Sequence, residues 1–165
     1  MKLSIIIPVY NEVNTIAGIV KKVQRVNYEK EIIIIDDAST DGTKDVLQEL
    51  SQQPGIKVFY HKTNCGKGAA IRTAIKNITG NITIIQDADL EYDPADYSDL
   101  LEPILDGRAD VVYGSRFLGG PHRVLFFWHF FGNRLLTLFS NMMTNLNLTD
   151  METGYKVFKS NVIKN

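Results

Sequence analysis

Three carboxylates, Asp87, Asp89 and Glu91, crowd into "IIQDADLEYDP" (84–94), directly after two isoleucines that read as the end of a buried strand. Like charges this close raise the energy of the folded state unless water, a partner cation or a metal ion neutralises them. Hard carboxylate oxygens suit Mg2+ or Mn2+. A Mg2+ site commonly takes one or two protein carboxylates and completes its shell with substrate phosphates and water. The chemistry expected here is therefore a metal that bridges protein and a diphosphate. Acids are also favoured at a helix start; this accounts for Asp93 and Asp96, ahead of a helical pattern, better than for Asp87 and Asp89, which lie nearer the strand.

Other reactive groups fall at comparable places. Asp36 and Asp37 close the run "EIIIIDD", where a carboxylate can accept hydrogen bonds from a base's imino group or a ribose hydroxyl. Ser39, Thr40 and Asp41, just after, read as turn and cap residues. "NCGKGAA" (64–70) sets two glycines and Lys67 at a helix start, where free amides, the helix dipole and one ammonium suit a phosphate. It is not a Walker loop, since no Ser or Thr follows Lys67, nor the dinucleotide fingerprint, which belongs after the first strand. Cys65 has no His nearby in sequence to act as its base and reads as a small packing residue. His61, His122 and His129 lack a metal-binding spacing and read as ordinary residues. No GxSxG elbow occurs.

The elements that position these groups are short, continuous Ile- and Val-rich runs at 3–9, 31–37, 56–61, 81–87 and 109–115, as expected of strands covered on both faces. Helical patterns separate them: Ile16, Ile19, Val23 and Val26; then Val46, Leu47 and Leu50; then Ala70, Ile71, Ala74, Ile75 and Ile78. This alternation predicts right-handed crossovers and a mainly parallel sheet between helical layers, an α/β fold. Ligands of such sheets bind beyond the carboxyl ends of the strands. Five strand ends there supply polar groups, from Pro8, Tyr10, Asn11 and Glu12 on the first to Ser115 and Arg116 on the fifth. After 115 a Gly-Pro turn leads into an aromatic, then helical stretch. Phe127, Phe131, Leu135, Leu138 and Met142 form one stripe and Asn133, Thr137, Ser140 and Thr144 another. The apolar stripe reads as core packing, with a lipid- or membrane-facing role for "VLFFWHFF" as the alternative.

The chain has 165 residues, 44% of them hydrophobic, enough for one ordinary globular domain. A net charge of −1 with dispersed cations offers no basic stripe for nucleic acid. One cysteine excludes an internal disulfide and fits a reducing compartment. The N-terminal apolar run is too short for a signal peptide and no run approaches the length of a membrane span, so a cytoplasmic location is expected. The triplets "NIT", "NIT" and "NLT" are then chance matches to a glycosylation signal.

Taken in order, "SIIIPVYNE", "IIIIDDASTDGT", "NCGKGAA", "QDADLEYDP", "VVYGSRF" and "DMETGYKVFK" resemble family 2 glycosyltransferases, above all the branch that makes polyisoprenyl-phosphate sugars on dolichol or undecaprenyl phosphate. The motifs run from residue 4 to 159. The resemblance implies a single GT-A (Rossmann-like) domain over 1–165, with a nucleotide-sugar half (1–115) and an acceptor half (116–165). It also implies a UDP- or GDP-linked donor, Mg2+ or Mn2+, and inversion at the anomeric carbon. Carried over by position, Pro8, Tyr10, Glu12 and Asp37 would hold the nucleoside, with Lys67, Asp87, Ala88 and Asp89 near the donor. Asp89 and Glu91 would bind metal, although many relatives carry Gln at the latter position. Arg116, Arg134 and Lys156 are the cations for the donor diphosphate or acceptor phosphate; Asp89, Arg116 and Asp150 form the implied catalytic set.

A sugar hydroxyl needs a general base, whereas a phosphate monoester, with a second pKa of about 6, is already largely dianionic near neutral pH. The QxxRW signature of many polysaccharide-forming relatives is absent. Both points favour a polyisoprenyl phosphate lipid as acceptor. The alternatives are a family 2 transferase acting on a sugar hydroxyl, with Asp150 or Glu152 as base, and a nucleotide-sugar-binding module without turnover. A phospho-acceptor receiver domain gives "DAD" and "GKGAA" no role. Relatives continue into membrane-associated helices, so a chain ending at Asn165 is expected to be a fragment or excised catalytic region, held at the cytoplasmic face of a membrane in the full-length protein.

Overall fold

β-Branched side chains favour the pleated backbone, and each isoleucine-rich run forms a strand. The computed structural model describes residues 1–115 and 127–164. Strands β1 (Lys2–Val9), β2 (Glu29–Asp36), β3 (Ile56–Tyr60), β4 (Ile82–Ile85) and β5 (Val111–Tyr113) alternate with helices α1 (Ile16–Arg25), α2 (Thr43–Leu50), α3 (Lys67–Ile75) and α4 (Tyr97–Leu105). A short 3-10 turn, Pro94–Asp96, leads into α4. Helix α5 (Phe127–Thr144), strand β6 (Lys156–Lys159) and the short α6 (Ser160–Ile163) complete the chain.

The six strands lie in the order β3-β2-β1-β4-β6-β5. β1, β2, β3 and β4 pair in parallel, with Ile6 opposite both Ile33 and Ile85. β6 runs antiparallel to β4 and β5 and is inserted between them, pairing Lys156 with Ile85 and Tyr113. The boundary near residue 115 therefore does not divide the sheet, because a strand from the second half completes it. Its antiparallel direction brings the start of β6 to the edge where β1, β2 and β4 end.

Alternate residues of β1 and β2 feed two cores. Leu3, Ile5, Ile7, Ile32 and Ile34 pack with the apolar faces of α1, α2 and α4, whereas Ile6, Ile33 and Ile35 pack with Ala70, Ala74 and Ile78 around α3. Each fully buried isoleucine contributes about 2 kcal/mol of transfer free energy. The central strands are covered on both faces, as expected. β3 and β5 are only partly buried because they are the sheet edges.

Helix α5 departs from the expected core packing. Asn133 and Thr137 of its polar stripe face inward, 6% and 5% exposed, with Ser140 half-buried and Thr144 exposed, while Phe131, Leu135, Leu138 and Met142 of the apolar stripe face solvent. The inward side chains have partners that reward burial: Asn133 Nδ2 donates to Asp150 (3.3 Å) and Glu152 (2.9 Å), and Thr137 Oγ1 donates to Asn133 Oδ1 (3.3 Å). Among the described residues no helix is long and apolar enough to cross a membrane.

Candidate functional site

Because β1, β2 and β4 run parallel, their carboxyl ends open on one edge, and a cleft of about 230 Å3 lies there. Pro8, Tyr10, Glu12, Asp37, Lys67, Asp87, Ala88 and Asp89 all line it, together with Val9 and Ala70. These eight residues, which sequence reasoning expected near a nucleotide sugar, thus converge from four chain segments.

The loops carrying them are tied to one another. Asn11 N–H donates to Ser39 Oγ (2.9 Å) and Thr40 N–H to Asn11 Oδ1 (2.8 Å), joining the loops that follow β1 and β2. Glu12 N–H donates to Thr43 Oγ1 (2.9 Å), and Asp41 accepts from the amides of Val13 and Thr43. Ser39, Thr40 and Asp41 are therefore turn and cap residues, as expected. Asn11 (φ +56°), Ala38 (+64°) and Leu90 (+64°) adopt left-handed backbone in the three loops around the cleft. Such conformations cost non-glycine residues about 1–3 kcal/mol each and persist only where the surroundings enforce them. At Leu90 the support is visible, since its side chain lies over Gly18 of α1.

Asp37 is the most constrained acid of the cleft. Its carboxylate accepts from the amides of Cys65 (3.0 Å) and Gly66 (2.7 Å) and contacts His61 Nδ1 (2.7 Å). Burial works to raise its pKa, but these hydrogen bonds and the charge of His61 outweigh burial and hold it below the usual carboxylate value. The amides expected to await a phosphate before α3 are thus occupied by Asp37. Gly66 makes this possible by taking φ +84°, which positions its amide toward β2. His61, expected to be ordinary, braces Asp37 while its other ring nitrogen meets Thr73 Oγ1 (2.9 Å). Cys65, expected to pack, is exposed. Asp37, His61 and Cys65 have the spacing of a three-ligand metal cluster, but the first two already bond each other, so the arrangement is a hydrogen-bonded brace. Neighbouring Asp36 is buried and accepts from Ser39 N–H (3.2 Å), while its Oδ2 has no hydrogen-bond partner among the described residues.

Across the cleft, Lys67 Nζ pairs with Asp87 Oδ1 at 2.5 Å. Asp89 and Glu91 are exposed, and Asp89 Oδ1 accepts the Glu91 amide (3.0 Å). Asp87, Asp89 and Glu91 do not form a three-acid metal cluster among the described residues. The donor set nonetheless suits a hard divalent cation held by one or two carboxylates, because Asp89 lines an open cleft beside Asp87.

Beneath the acidic loop lies a polar hub that sequence reasoning missed. Gln86, fully buried at the end of β4, accepts from Tyr97 Oη (2.8 Å) and Tyr155 Oη (3.0 Å), and donates to the Asp87 carbonyl (3.0 Å). Burial raises the phenol pKa of both tyrosines, so they act as donors throughout the physiological range. Gly154 N–H donates to Tyr92 Oη (2.8 Å), and a Cβ at Gly154 would stand 2.6 Å from Asp87 Oδ2. A polar Gln ending an apolar run directly before the acids was the available signal.

The expected acceptor residues are more dispersed. Arg116 lies outside the described residues. Arg134 is exposed on α5, beside inward-facing Asn133. Lys156 donates to the Thr153 carbonyl (2.9 Å) and lies 5.4 Å from the Tyr113 ring centroid. Asp150 is buried and accepts from Asn133 and the Glu152 amide (3.2 Å), which orders the approach to β6. Of the described residues Arg134, Lys156 and Asp150, none lines the cleft.

Comparison with known proteins gives this arrangement a family. Residues 4–165 match the model for "Glycosyl transferase family 2". The chain is 35% identical over 124 residues to a dolichol-phosphate mannosyltransferase of Pyrococcus furiosus, covering 73% of this chain and 34% of that protein. It is 28% identical over 171 residues to an undecaprenyl-phosphate mannosyltransferase of Micrococcus luteus, covering 99% and 69%. Among solved structures, glucosyl-3-phosphoglycerate synthase from Mycobacterium tuberculosis with Mn2+, UDP and phosphoglyceric acid superposes with a TM-score of 0.74 at 20% identity, over 98% of this chain and 56% of that one. The mannosyltransferase PcManGT from Pyrobaculum calidifontis, in complex with GDP-Man and Mn2+, gives 0.71 at 19%, over 98% and 45%. The central sheet and its helical layers are those of the GT-A fold. With the strand-end cleft, the sheet order and the family match in agreement, the chain belongs to glycosyl transferase family 2.

Proposed function

We propose that this chain is the catalytic region of an inverting transferase that moves a sugar from a UDP- or GDP-linked donor to a polyisoprenyl phosphate. The observation that carries the donor half is the convergence of Pro8, Tyr10, Glu12, Asp37, Lys67, Asp87, Ala88 and Asp89 on one cleft. The acceptor half draws on relatives named for dolichol-phosphate and undecaprenyl-phosphate transfer.

Asp37, ionised and fixed by Cys65, Gly66 and His61, orients the nucleoside, with Pro8 and Tyr10 as an apolar flank. Lys67, paired with Asp87 at the cleft, turns its ammonium to the donor diphosphate. Asp89, with Asp87 or Glu91, would hold Mg2+ or Mn2+. When bound, that cation neutralises charge on the departing diphosphate. An acceptor phosphate oxygen supplies the electron pair of the new bond to the anomeric carbon, and the pair of the broken bond leaves with the nucleoside diphosphate. No proton need be removed from a dianionic acceptor, so positioning and fixed charge do most of the catalysis. Arg116, Arg134 and Lys156 are the cations proposed to receive the acceptor phosphate. Domain limits are proposed as one catalytic domain over 1–165.

The test is transfer of labelled sugar from GDP-mannose and from a UDP-sugar panel to undecaprenyl phosphate in detergent, beside a free oligosaccharide acceptor. The proposal expects product on the lipid phosphate alone; product only on a sugar hydroxyl would replace it with the hydroxyl-transfer reading.

A further inference from the structure

Asp37, His61 and Cys65 bring three metal-ligating groups together, and the chemistry of the cleft uses only the first. Asp37 leaves β2 and His61 leaves β3 side by side, because these parallel strands pair Asp36 with Tyr60. The His61 amide donates to the Asp36 carbonyl (2.8 Å) and the Cys65 amide to the Asp37 carboxylate (3.0 Å), which folds the loop back onto both strand ends. One carboxylate oxygen, one imidazole nitrogen and one thiol sulfur thereby lie within 4.8 Å of one another. Asp37 is buried, His61 half-buried and Cys65 exposed, so the group opens to solvent on the sulfur side.

Donor chemistry identifies the ligand. Hard Mg2+ and Mn2+ favour all-oxygen shells, whereas a carboxylate, an imidazole and a thiolate suit Zn2+, a borderline-soft cation that accepts three protein ligands with a fourth position open. Ligand atoms around a tetrahedral zinc stand about 3.3–3.6 Å apart, between the 2.7 Å of the His61 contact with Asp37 and the 4.8 Å span of the cluster. Closing on a cation therefore needs only a slight parting of His61 from Asp37 and rotation of Cys65 about its Cα–Cβ bond. That thiol is held by weak contacts, to the Thr63 carbonyl (3.3 Å) and to Thr63 Oγ1 (3.8 Å).

The outer partner of His61 points the same way. A metal-bound imidazole needs an acceptor for its other N–H, and Thr73 Oγ1 stands 2.9 Å from His61 Nε2. A hydroxyl both donates and accepts. It therefore serves the tautomer whose Nδ1 proton faces Asp37 and equally the tautomer that turns an Nδ1 lone pair to a cation. Asp37 is supported as well, since the Cys65 and Gly66 amides that fix its carboxylate would keep it oriented.

We propose that Asp37, His61 and Cys65 form a site for Zn2+ or another thiophilic divalent cation, and that filling it prevents nucleotide binding. The hydrogen-bonded brace is the metal-free form of this site. The inhibition rests on the nucleoside role given to Asp37, because a cation on its carboxylate would remove an acceptor that lines the cleft. The acidic loop of Asp87 and Asp89, whose oxygens suit a hard cation, is a separate segment.

Co2+, a spectroscopic substitute for zinc, tests the site in nucleotide-free protein. The wild-type chain should show a thiolate-to-Co2+ charge-transfer band that added Zn2+ abolishes. Cys65→Ser should lack the band and bind Zn2+ more weakly by on the order of tenfold or more. This variant keeps the backbone amide, and Cys65 does not line the cleft, so its nucleotide affinity should match the wild type. With saturating Mn2+ present, Zn2+ should weaken nucleotide-sugar binding at least about tenfold in the wild type and far less in Cys65→Ser. Absence of the band in the wild type, or equal zinc affinity in the two proteins, would overturn the site and leave the transferase reading standing. A filled site that leaves nucleotide affinity unchanged would overturn the inhibition together with the nucleoside role of Asp37.

Discussion

At Asp37, two amides and an imidazole hold the carboxylate ionised and fixed before any ligand arrives, which lowers the cost of ordering on binding. Gly154 does comparable work by being small. A methyl group there would meet the Tyr92 ring at 2.5 Å and the Asp87 carboxylate at 2.6 Å, and overpacking of this kind costs about 1–3 kcal/mol. Gly154→Ala should therefore displace Asp87, lower the unfolding midpoint by several degrees and weaken nucleotide-sugar binding about tenfold, roughly 1.4 kcal/mol; calorimetry beside thermal melts checks both, and unchanged affinity in the folded variant would mean that Asp87 does not contact the ligand. Asp37, Asp87 and Asp89 were legible in the sequence because each follows an apolar run, where a parallel sheet opens. His61, Gln86 and Gly154 were not. Their roles rest on partners distant in the chain, Asp37, Tyr155 and Tyr92, and no local pattern encodes such pairs.

Among the elements, the end of the sheet opposite the cleft is held by one buried acid. Glu31 accepts from Ser4 Oγ (2.6 Å), the Thr79 amide (2.6 Å) and Lys57 Nζ (3.0 Å), tying β1, β2, β3 and the turn before β4. Burial acts to raise its pKa, but the hydrogen bonds from Ser4, Thr79 and Lys57 prevail and lower it from 4.5 to about 2. A folded-state pKa below the unfolded one means that the stabilisation is complete above about 4.5 and is lost as pH falls through about 2. The depression corresponds to roughly 3 kcal/mol. Urea unfolding across that window should show the wild-type chain losing this increment while Glu31→Gln, weaker at pH 7, loses far less; parallel pH profiles would contradict the assignment. Strand and helix positions were readable from apolar runs and periodicity. Two features were not: the antiparallel insertion of β6, since a short run carries no direction, and the orientation of α5, since periodicity reveals a face without saying which way it turns. Asn133 and Thr137 decided the latter by finding hydrogen-bond partners inside.

For the molecule as a whole, the cleft opens at one sheet edge and the apolar face of α5 lies exposed outside it. The chain spans 34% of the P. furiosus relative's length and 69% of the M. luteus relative's, yet the cleft is assembled from residues 8–89. Metal-dependent donor binding is therefore expected of this chain by itself. The most direct measurement is calorimetric titration with GDP-mannose and UDP-sugars, with and without Mn2+, on the wild-type chain and on Asp89→Asn. One nucleotide sugar should bind at least about tenfold more tightly with Mn2+, a gain of roughly 1.4 kcal/mol, and Asp89→Asn should abolish that gain while its melting temperature is unchanged. Absence of nucleotide binding to the folded wild-type chain, or an Mn2+ gain undiminished in Asp89→Asn, would contradict the account.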